Sequence, residues 1–472
     1  MALLQTGVEQ AAKMMTGHRY ARLISHYDAD GITAAGILYH ALLRHGMQVH
    51  ASIVKKLDRS FIRELDEELI IICDMGTAQS DLLAEQLAKR DVVIIDHHAP
   101  LAAMPLFRAP SAVLINPCCL EAAEGARLRN ERGSTICASG LAYLVARRMA
   151  HDRQGNIDLA GLAIAGTLGD KLDLTTGVNR LILDEALAEG IVTVKQGLKL
   201  SAGKLQEALL FATEPYLPFA GKLEWILAIL KELGIDGTTD TTDLSEEEEQ
   251  RLAAAVLPLV KQSPADLADD VLLGPTYLLN AEVIRHGQDF MRIVDACGRM
   301  GKAGVGLGLC LREERLVEEA TALYRSIQIK LVSELNRLES EEHAITELKH
   351  LFYFYVEESG VTGILAGIVA EYLRTEKPVI VVNKRERLEE GKPAETKISA
   401  RCHTRLIARA PGGLDLARAM EQAAKELGGF GGGHPVAAGA SIPDGSEERF
   451  IAALDRILGA QQGKNVTPPK RG

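Results

Sequence analysis

The chain has 472 residues and a formal net charge of -11; 47% of its residues are hydrophobic but only 4% are aromatic. That length exceeds one compact core and predicts two or three domains packed mainly by aliphatic side chains. The acidic balance excludes a protein that coats nucleic acid through a general basic field, so a nucleic-acid site must be a local basic groove or must borrow charge from cations.

The N-terminal region alternates aliphatic runs with helical patterns. Residues 20–25, 69–73, 92–95 and 112–115 read as strands, with helices near 82–87, 135–149 and 157–168. Strands that are continuously aliphatic are buried on both faces, and alternation with helices implies a parallel sheet with crossover helices. This α/β domain is expected over 1–190. A helical insertion domain follows over 191–315, where Ser245 stands three residues before Glu248 as a capping box. A connecting helix is expected from 317 to 349 within a 316–350 segment, because Leu323, Ile327, Leu331, Leu335 and Leu338 recur at helical spacing. A smaller C-terminal α/β domain occupies 351–460, with strands at 351–356, 378–382 and 397–405, helices at 363–373 and 416–427, and Gly428 as a helix stop. Residues 461–472 read as a disordered tail.

Seven cysteines lie scattered, with no zinc-finger spacing and an odd count, so reduced core thiols are expected. No apolar run reaches the ~20 residues needed to cross a bilayer. The N-terminal segment lacks the pattern of a signal peptide, so a cytoplasmic protein without a membrane partner is expected.

Four polar clusters follow strand or helix ends: Ser25-His26-Tyr27-Asp28-Ala29-Asp30-Gly31, Cys73-Asp74-Met75-Gly76, Ile95-Asp96-His97-His98 and Gly169-Asp170-Lys171. In open α/β sheets the carboxyl ends of the strands carry ligands, so these clusters should converge at one edge. His26, Asp28, Asp30, Asp74, His97 and Asp170 offer oxygen and imidazole nitrogen, a donor set that suits Mn2+ or Mg2+. So many carboxylates repel one another unless cations neutralise them. Two such ions sharing a carboxylate would clamp a phosphate and acidify an attacking water. Singly, each cluster also fits an N-cap or a solvated turn.

Two further features lie near the C-terminus. Phe430-Gly431-Gly432-Gly433-His434-Pro435 allows positive φ and an anion-binding nest of successive N–H groups. In the 397–405 strand, Lys397, Ser399, Arg401, His403 and Arg405 fall on one face, a basic stripe in an acidic chain.

The ordered set HYDADG, CDMG, DHH and GD resembles the motifs of the DHH phosphoesterases, a superfamily of RecJ-type single-strand exonucleases, oligonucleotide phosphodiesterases and family II pyrophosphatases. The resemblance implies that His26, Asp28 and Asp74 hold one ion and that Asp30, Asp74, His97 and Asp170 hold a second. It further implies that His98 contacts the scissile phosphate and that Asp96 orients the histidines. His26 stands where bacterial RecJ has aspartate and is similar to the archaeal RecJ-like group. KISARCHTR with GGFGGGHPVAAGA resembles the substrate-binding domain that accompanies the DHH domain. That implies phosphate contacts from Ser399, Arg401, Arg405, Gly431, Gly432, Gly433 and His434, and it argues against a pyrophosphatase. The expected activity is single-strand DNA or RNA exonuclease action in replication or repair. The alternatives are a phosphodiesterase of short oligonucleotides or cyclic dinucleotides, and a scaffold with little catalysis. Family analogy adds a GINS-like replication component or a repair helicase as partner.

Overall fold

The four aliphatic runs of the N-terminal region form strands in the computed structural model, and a fifth strand joins them. The strands are β1 (Tyr20–His26), β2 (Gln48–Val54), β3 (Leu69–Cys73), β4 (Asp91–Ile95) and β5 (Ala112–Ile115). All pair in parallel, in the order β2-β1-β3-β4-β5. The runs are continuous because alternate residues feed two cores. Leu23, Ile71, Cys73, Val93 and Ile95 enter one, and Ile24, Ile70, Ile72, Val92 and Ile94 enter the other. The sequence pattern does not announce β2. It lies at the sheet edge, and its polar and apolar residues alternate, so it presents no aliphatic run.

The structure describes residues 2–98, 111–119, 135–150, 152, 154–261, 272–358, 360–383, 395–409 and 413–463. Two units emerge: Met1–Gln196 with Pro275–Arg325, and Gly197–Gly274 with Ser326–Gly472. In the first, helices α1 (Ala2–Thr16), α2 (Ala29–Arg44), α3 (Ala138–Met149), α4 (Ala160–Gly169) and α5 (Gly287–Arg299) share the larger core. Helix α5 packs against α2 and α4. The stretch expected as one helical insertion, 191–315, is therefore divided. Residues 275–315 complete the first unit, because Phe290, Val294 and Cys297 are core residues there. The stretch also contains β6 (Val192–Leu198) and β7 (Leu273–Leu279), a two-stranded ribbon at which the chain leaves the first unit and re-enters it.

In the second unit, residues 197–274 build a small core from Leu205, Phe219, Ile226, Leu230, Leu252 and Val256. The capping box is formed reciprocally. Ser245 N–H donates to Glu248 Oε2 at 3.0 Å, and Glu248 N–H donates to Ser245 Oγ at 3.3 Å. The long helix α6 (Val317–Ser340) stops short of 349, because His343 takes a left-handed φ of 70° and the chain turns into β8 (Thr346–Glu347). The sheet continues with β9 (Phe352–Val356), β10 (Val379–Asn383), β11 (Glu395–Arg401), β12 (Phe430–Gly433) and β13 (Ala437–Pro443), in the order β12-β13-β11-β10-β9-β8. Helix α7 (Thr362–Ile368) packs on β10 and β11. Helices α8 (Leu416–Lys425) and α9 (Glu447–Gly463) supply Leu416, Met420, Phe450 and Leu454 against Ile398, Ala400, Ala438, Ala440 and Ile442. The tail expected from 461 is helical to Gly463, and the remainder lies outside the described residues. All seven cysteines are buried, and none is paired in a disulfide. No helix among the described residues is long and apolar enough to cross a membrane.

Close packing of α4 holds the first unit's chemistry together. Gly166 lies on α4, the helix that Asp170 caps, and a Cβ there would lie 2.0 Å from Ser139 Oγ on α3 and 2.6 Å from Thr33 Oγ1 on α2, the helix that carries Asp30. Gly166→Ala is expected to destabilise the protein by about 1–3 kcal/mol, whereas Gly367→Ala, with nothing within 4 Å, should be neutral or stabilising. Thermal melts of the two variants decide this; equal midpoints would refute the close-packing argument.

Candidate metal centre

The sheet order of the first unit reverses between β1 and β3, and the carboxyl ends of these strands flank a crevice suited to a ligand. His26 ends β1, Asp74 follows β3, and Asp96, His97 and His98 follow β4. Asp28 is the N-cap of α2, its Oδ1 accepting from Gly31 N–H at 3.0 Å, so the capping role and the site role coincide. Gly31 is required there, since a Cβ would lie 2.4 Å from the His26 carbonyl oxygen. Asp170 is the C-cap of α4. Asp74 (φ 57°) and Lys171 (φ 54°) hold left-handed backbones beside the site, a local strain typical of functional positions.

These side chains converge. His26 Nδ1 lies 2.9 Å from Asp28 Oδ2 and 3.2 Å from Asp74 Oδ2. His97 Nε2 lies 3.3 Å from Asp74 Oδ1, 3.2 Å from Asp170 Oδ2 and 3.8 Å from Asp30 Oδ2. Three groups have ligand atoms within 4.8 Å of one another: His26, Asp28 and Asp74; Asp74, His97 and His98; Asp30, Cys137 and Asp170. Asp74 is common to the first two. Sequence reasoning missed Cys137, a buried thiol 3.1 Å from Ser139 Oγ; no zinc-like spacing marked it. It also missed a second role for Asp30, whose Oδ2 and Oδ1 accept from the N–H groups of Ala138 and Ser139 at 2.7 and 2.8 Å. Asp30 thereby satisfies the N-terminus of α3, where Cys137 makes no side-chain cap. That missing cap was the available signal.

Asp96 anchors the DHH turn. Its Oδ1 accepts from His97 N–H at 2.8 Å and meets His98 Nδ1 at 2.7 Å, while Oδ2 accepts from Thr77 N–H at 2.9 Å. It orients the His98 ring but reaches His97 through the backbone alone among these contacts. Burial raises the Asp96 carboxyl, but the His98 hydrogen bond and charge, with Thr77, outweigh burial and hold it well below the usual range.

The electrostatics of the cluster call for cations. Burial raises the Asp74 carboxyl, and the Asp28 and Asp30 charges add to this against hydrogen bonds from His26 and His97, leaving it at about 6. Burial and then the Asp30 charge push Asp170 well above the usual range. Its Oδ2 is buried and accepts no hydrogen bond. Burial would lower His26, but the Asp28 charge and hydrogen bonds to Asp28 and Asp74 outweigh it and raise the imidazole to about 12. His97 is likewise raised against burial to about 10, by its hydrogen bond to Asp74 and the charges of Asp170, Asp74 and Asp30. The chain alone thus gathers protons to balance its carboxylates. An orphaned buried carboxylate oxygen among nitrogen and oxygen donors fits divalent cations in their place.

In the second unit the expected residues are only partly assembled. Ser399 and Arg401 lie on the α7 side of β11, and a Cβ on Gly363 would be 3.1 Å from Arg401 Nη2 and 3.7 Å from Ser399 Oγ. The basic stripe does not continue. β11 ends at Arg401, and Arg405 is exposed on the short helix Thr404–Arg409, its N–H donating to His403 Nδ1 at 3.1 Å. The expected nest is not formed either. Gly431, Gly432 and Gly433 belong to strand β12, whose register with β13 absorbs the segment into a ladder. His434 sits in the turn between β12 and β13, its N–H donating to the Ala437 carbonyl at 2.8 Å.

Comparison with known proteins places this geometry. Residues 22–167 match the DHH family N-terminal domain, and residues 349–460 match the DHHA1 domain. An uncharacterized protein of Methanocaldococcus jannaschii is 30% identical over 95% of each chain. The single-stranded-DNA-specific exonuclease RecJ of Bacillus subtilis is 27% identical over 52% of this chain and 31% of its own, so the match spans about a third of that RecJ. The Mn2+ complex of RecJ from Thermus thermophilus shares the fold with a TM-score of 0.57 at 20% identity, covering 96% of this chain and 55% of that one. CDC45 from Entamoeba histolytica does so with a TM-score of 0.65 at 13% identity, covering 96% and 99%. With both domain models in sequence and a relative 30% identical over 95% of each chain, the chain belongs to the DHH superfamily as a RecJ-like member.

Proposed function

We propose that the chain is a two-metal phosphodiesterase that releases nucleoside monophosphates from single-stranded DNA or RNA in replication or repair. The observation that carries the reading is Asp74, almost fully buried and common to two donor groups at the switch point of the sheet. A carboxylate so placed is suited to bridge two cations. His26, Asp28 and Asp74 would hold one, and Asp30, Asp74, His97 and Asp170 the other, with Mn2+ the foremost candidate and Mg2+ the second. Each Asp30 oxygen takes one amide of α3 and retains a second lone pair for an ion. When bound, the cations supply an acidified water and neutralise charge on the phosphate. His98, its Nδ1 fixed by Asp96, donates to the scissile phosphate. Asp96 positions it without touching substrate. In the second unit Ser399 and Arg401 take a phosphate of the strand. Arg405 and His434, more loosely placed, follow its backbone.

A second reading is a scaffold within a replication complex; the fold shared with CDC45 over 96% of this chain is compatible with it. The complete donor set at the sheet edge weighs against it. A third, a phosphodiesterase of dinucleotides, differs only in substrate length.

End-labelled strands of two, five and thirty nucleotides, DNA and RNA, separate the three. Cleavage of the thirty-mer to mononucleotides with Mn2+, abolished by chelator and by Asp74→Ala, is the expected result. Products from dinucleotides alone would move the assignment to the third reading, and no cleavage with any divalent ion would leave the scaffold. Asp96→Asn is expected to lower kcat about 10–100-fold, since it loosens His98 while the donor set remains intact. An unchanged kcat would remove Asp96 from the machinery.

Ion binding must also displace protons. His26 and His97, raised to about 12 and 10, are protonated at neutral pH in the ion-free chain, and both must lose a proton to ligate. Mn2+ affinity is therefore expected to rise with pH between 6 and 8. Calorimetric titrations in buffers of different ionisation enthalpy should register net proton release. Binding independent of both pH and buffer would exclude these histidines as ligands.

A further inference from the structure

The glycines of β12 divide into two kinds. A Cβ on Gly431 would lie 2.5 Å from the Met420 carbonyl oxygen, and one on Gly433, at φ +137°, would lie 2.6 Å from that of Ala437. The protein's own packing demands both. Gly432 between them has no left-handed φ, and a Cβ there would meet nothing within 4 Å. Its partner across the ladder is Gly439. There too φ is ordinary, and a Cβ would meet only the Ile398 carbonyl oxygen, at a comfortable 3.5 Å. Glycine inside a strand costs stability, and neither position repays that cost within the chain. Bare backbone on paired strands then points to something outside the chain that comes close.

The surroundings identify what approaches. Gly431 faces α8, so Phe430 and Gly432 face the opposite side of the sheet. The register aligns Phe430 with Ser441 and Lys397, and Gly432 with Gly439 and Ser399. Arg401 shares this face. Phe430 is 79% exposed, the most exposed of the large hydrophobic side chains described. It stands at the edge strand, roughly perpendicular to the sheet. The face thus offers an aromatic wall, a floor without side chains beside it and a guanidinium beyond. Aromatic, open space and cation in this sequence match the base, sugar and phosphate of one nucleotide.

We propose that this face is a nucleobase shelf. One base of a single strand stacks on the Phe430 ring, over the space left by Gly432 and Gly439, with its phosphate directed to Arg401. This rests on the nucleic-acid reading above and adds a base contact to it.

The test uses the full-length chain without divalent ions, a fluorescein-labelled oligothymidylate of fifteen nucleotides, and the same strand made entirely of abasic residues. Anisotropy should show the wild type binding the thymidylate about 5- to 100-fold more tightly than the abasic strand. Phe430→Ala and Gly439→Val should bring thymidylate binding down to the abasic level. Phe430→Trp should preserve it, and thermal midpoints should stay within those of a folded chain. Equal affinity of the wild type for both strands, or thymidylate binding unaffected in Phe430→Ala and Gly439→Val, would overturn the shelf and leave the phosphodiesterase reading intact. Wild type that binds neither strand, yet still cleaves dinucleotides in Mn2+, would also overturn the shelf. Wild type that neither binds nor cleaves would overturn both.

Discussion

Mutual repulsion among buried carboxylates is the constraint around which the first unit is arranged. Asp28, Asp30, Asp74 and Asp170 converge from separate turns and helix ends, and two of them, Asp30 and Asp74, are almost fully excluded from water. No hydrophobic gain compensates an unpaired buried charge. Three of the carboxylates have separate local anchors: an amide opening α2 for Asp28, those opening α3 for Asp30, and the imidazoles of His26 and His97 for Asp74. The anchors are fixed dipoles and titratable rings. Dipoles keep the cluster in place, and protonated rings can release their protons to solvent where a cation takes over the balancing charge. A site built this way holds its shape before the ion arrives and changes its charge when the ion does.

The sheet supplies the precision. β3 and β4 are sealed between two cores, and their carboxyl ends cannot shift without disturbing both. The left-handed residue at Asp74 interrupts the strand direction at once and aims the carboxylate into the crevice. Asp96 then ties the following turn to Thr77, and through Thr77 to Asn116, so that the DHH segment hangs on hydrogen bonds from two neighbouring loops.

Much of this was legible in the sequence because its signals are local. Aliphatic runs marked the buried strands, and polar clusters directly after them marked the edge where the donors gather. The Ser245–Glu248 pair marked a helix start that forms as the spacing requires. What escaped depends on partners distant in the chain. β2 is an edge strand whose half-exposed residues read like a loop. Asp30 caps a helix more than a hundred residues away, which no window on the sequence displays. Gly431 to Gly433 looked like a nest because glycine permits positive φ, but a facing strand recruits them into a ladder instead. Arg405 left the expected stripe because β11 ends at Arg401 and the chain turns into a helix.

The division of the first unit along the chain bears on how the protein is made. Its sheet and helices α1 to α4 are encoded before residue 197, yet α5, which packs on α2 and α4, arrives only after residues 197–274 have been synthesised. Emerging from the ribosome, the sheet must wait with the α2–α4 face uncovered while another body of chain is extruded. Apolar surface exposed during synthesis invites wrong association. The small core of residues 197–274 comes next, and its early collapse would keep that interval from adding further exposed surface.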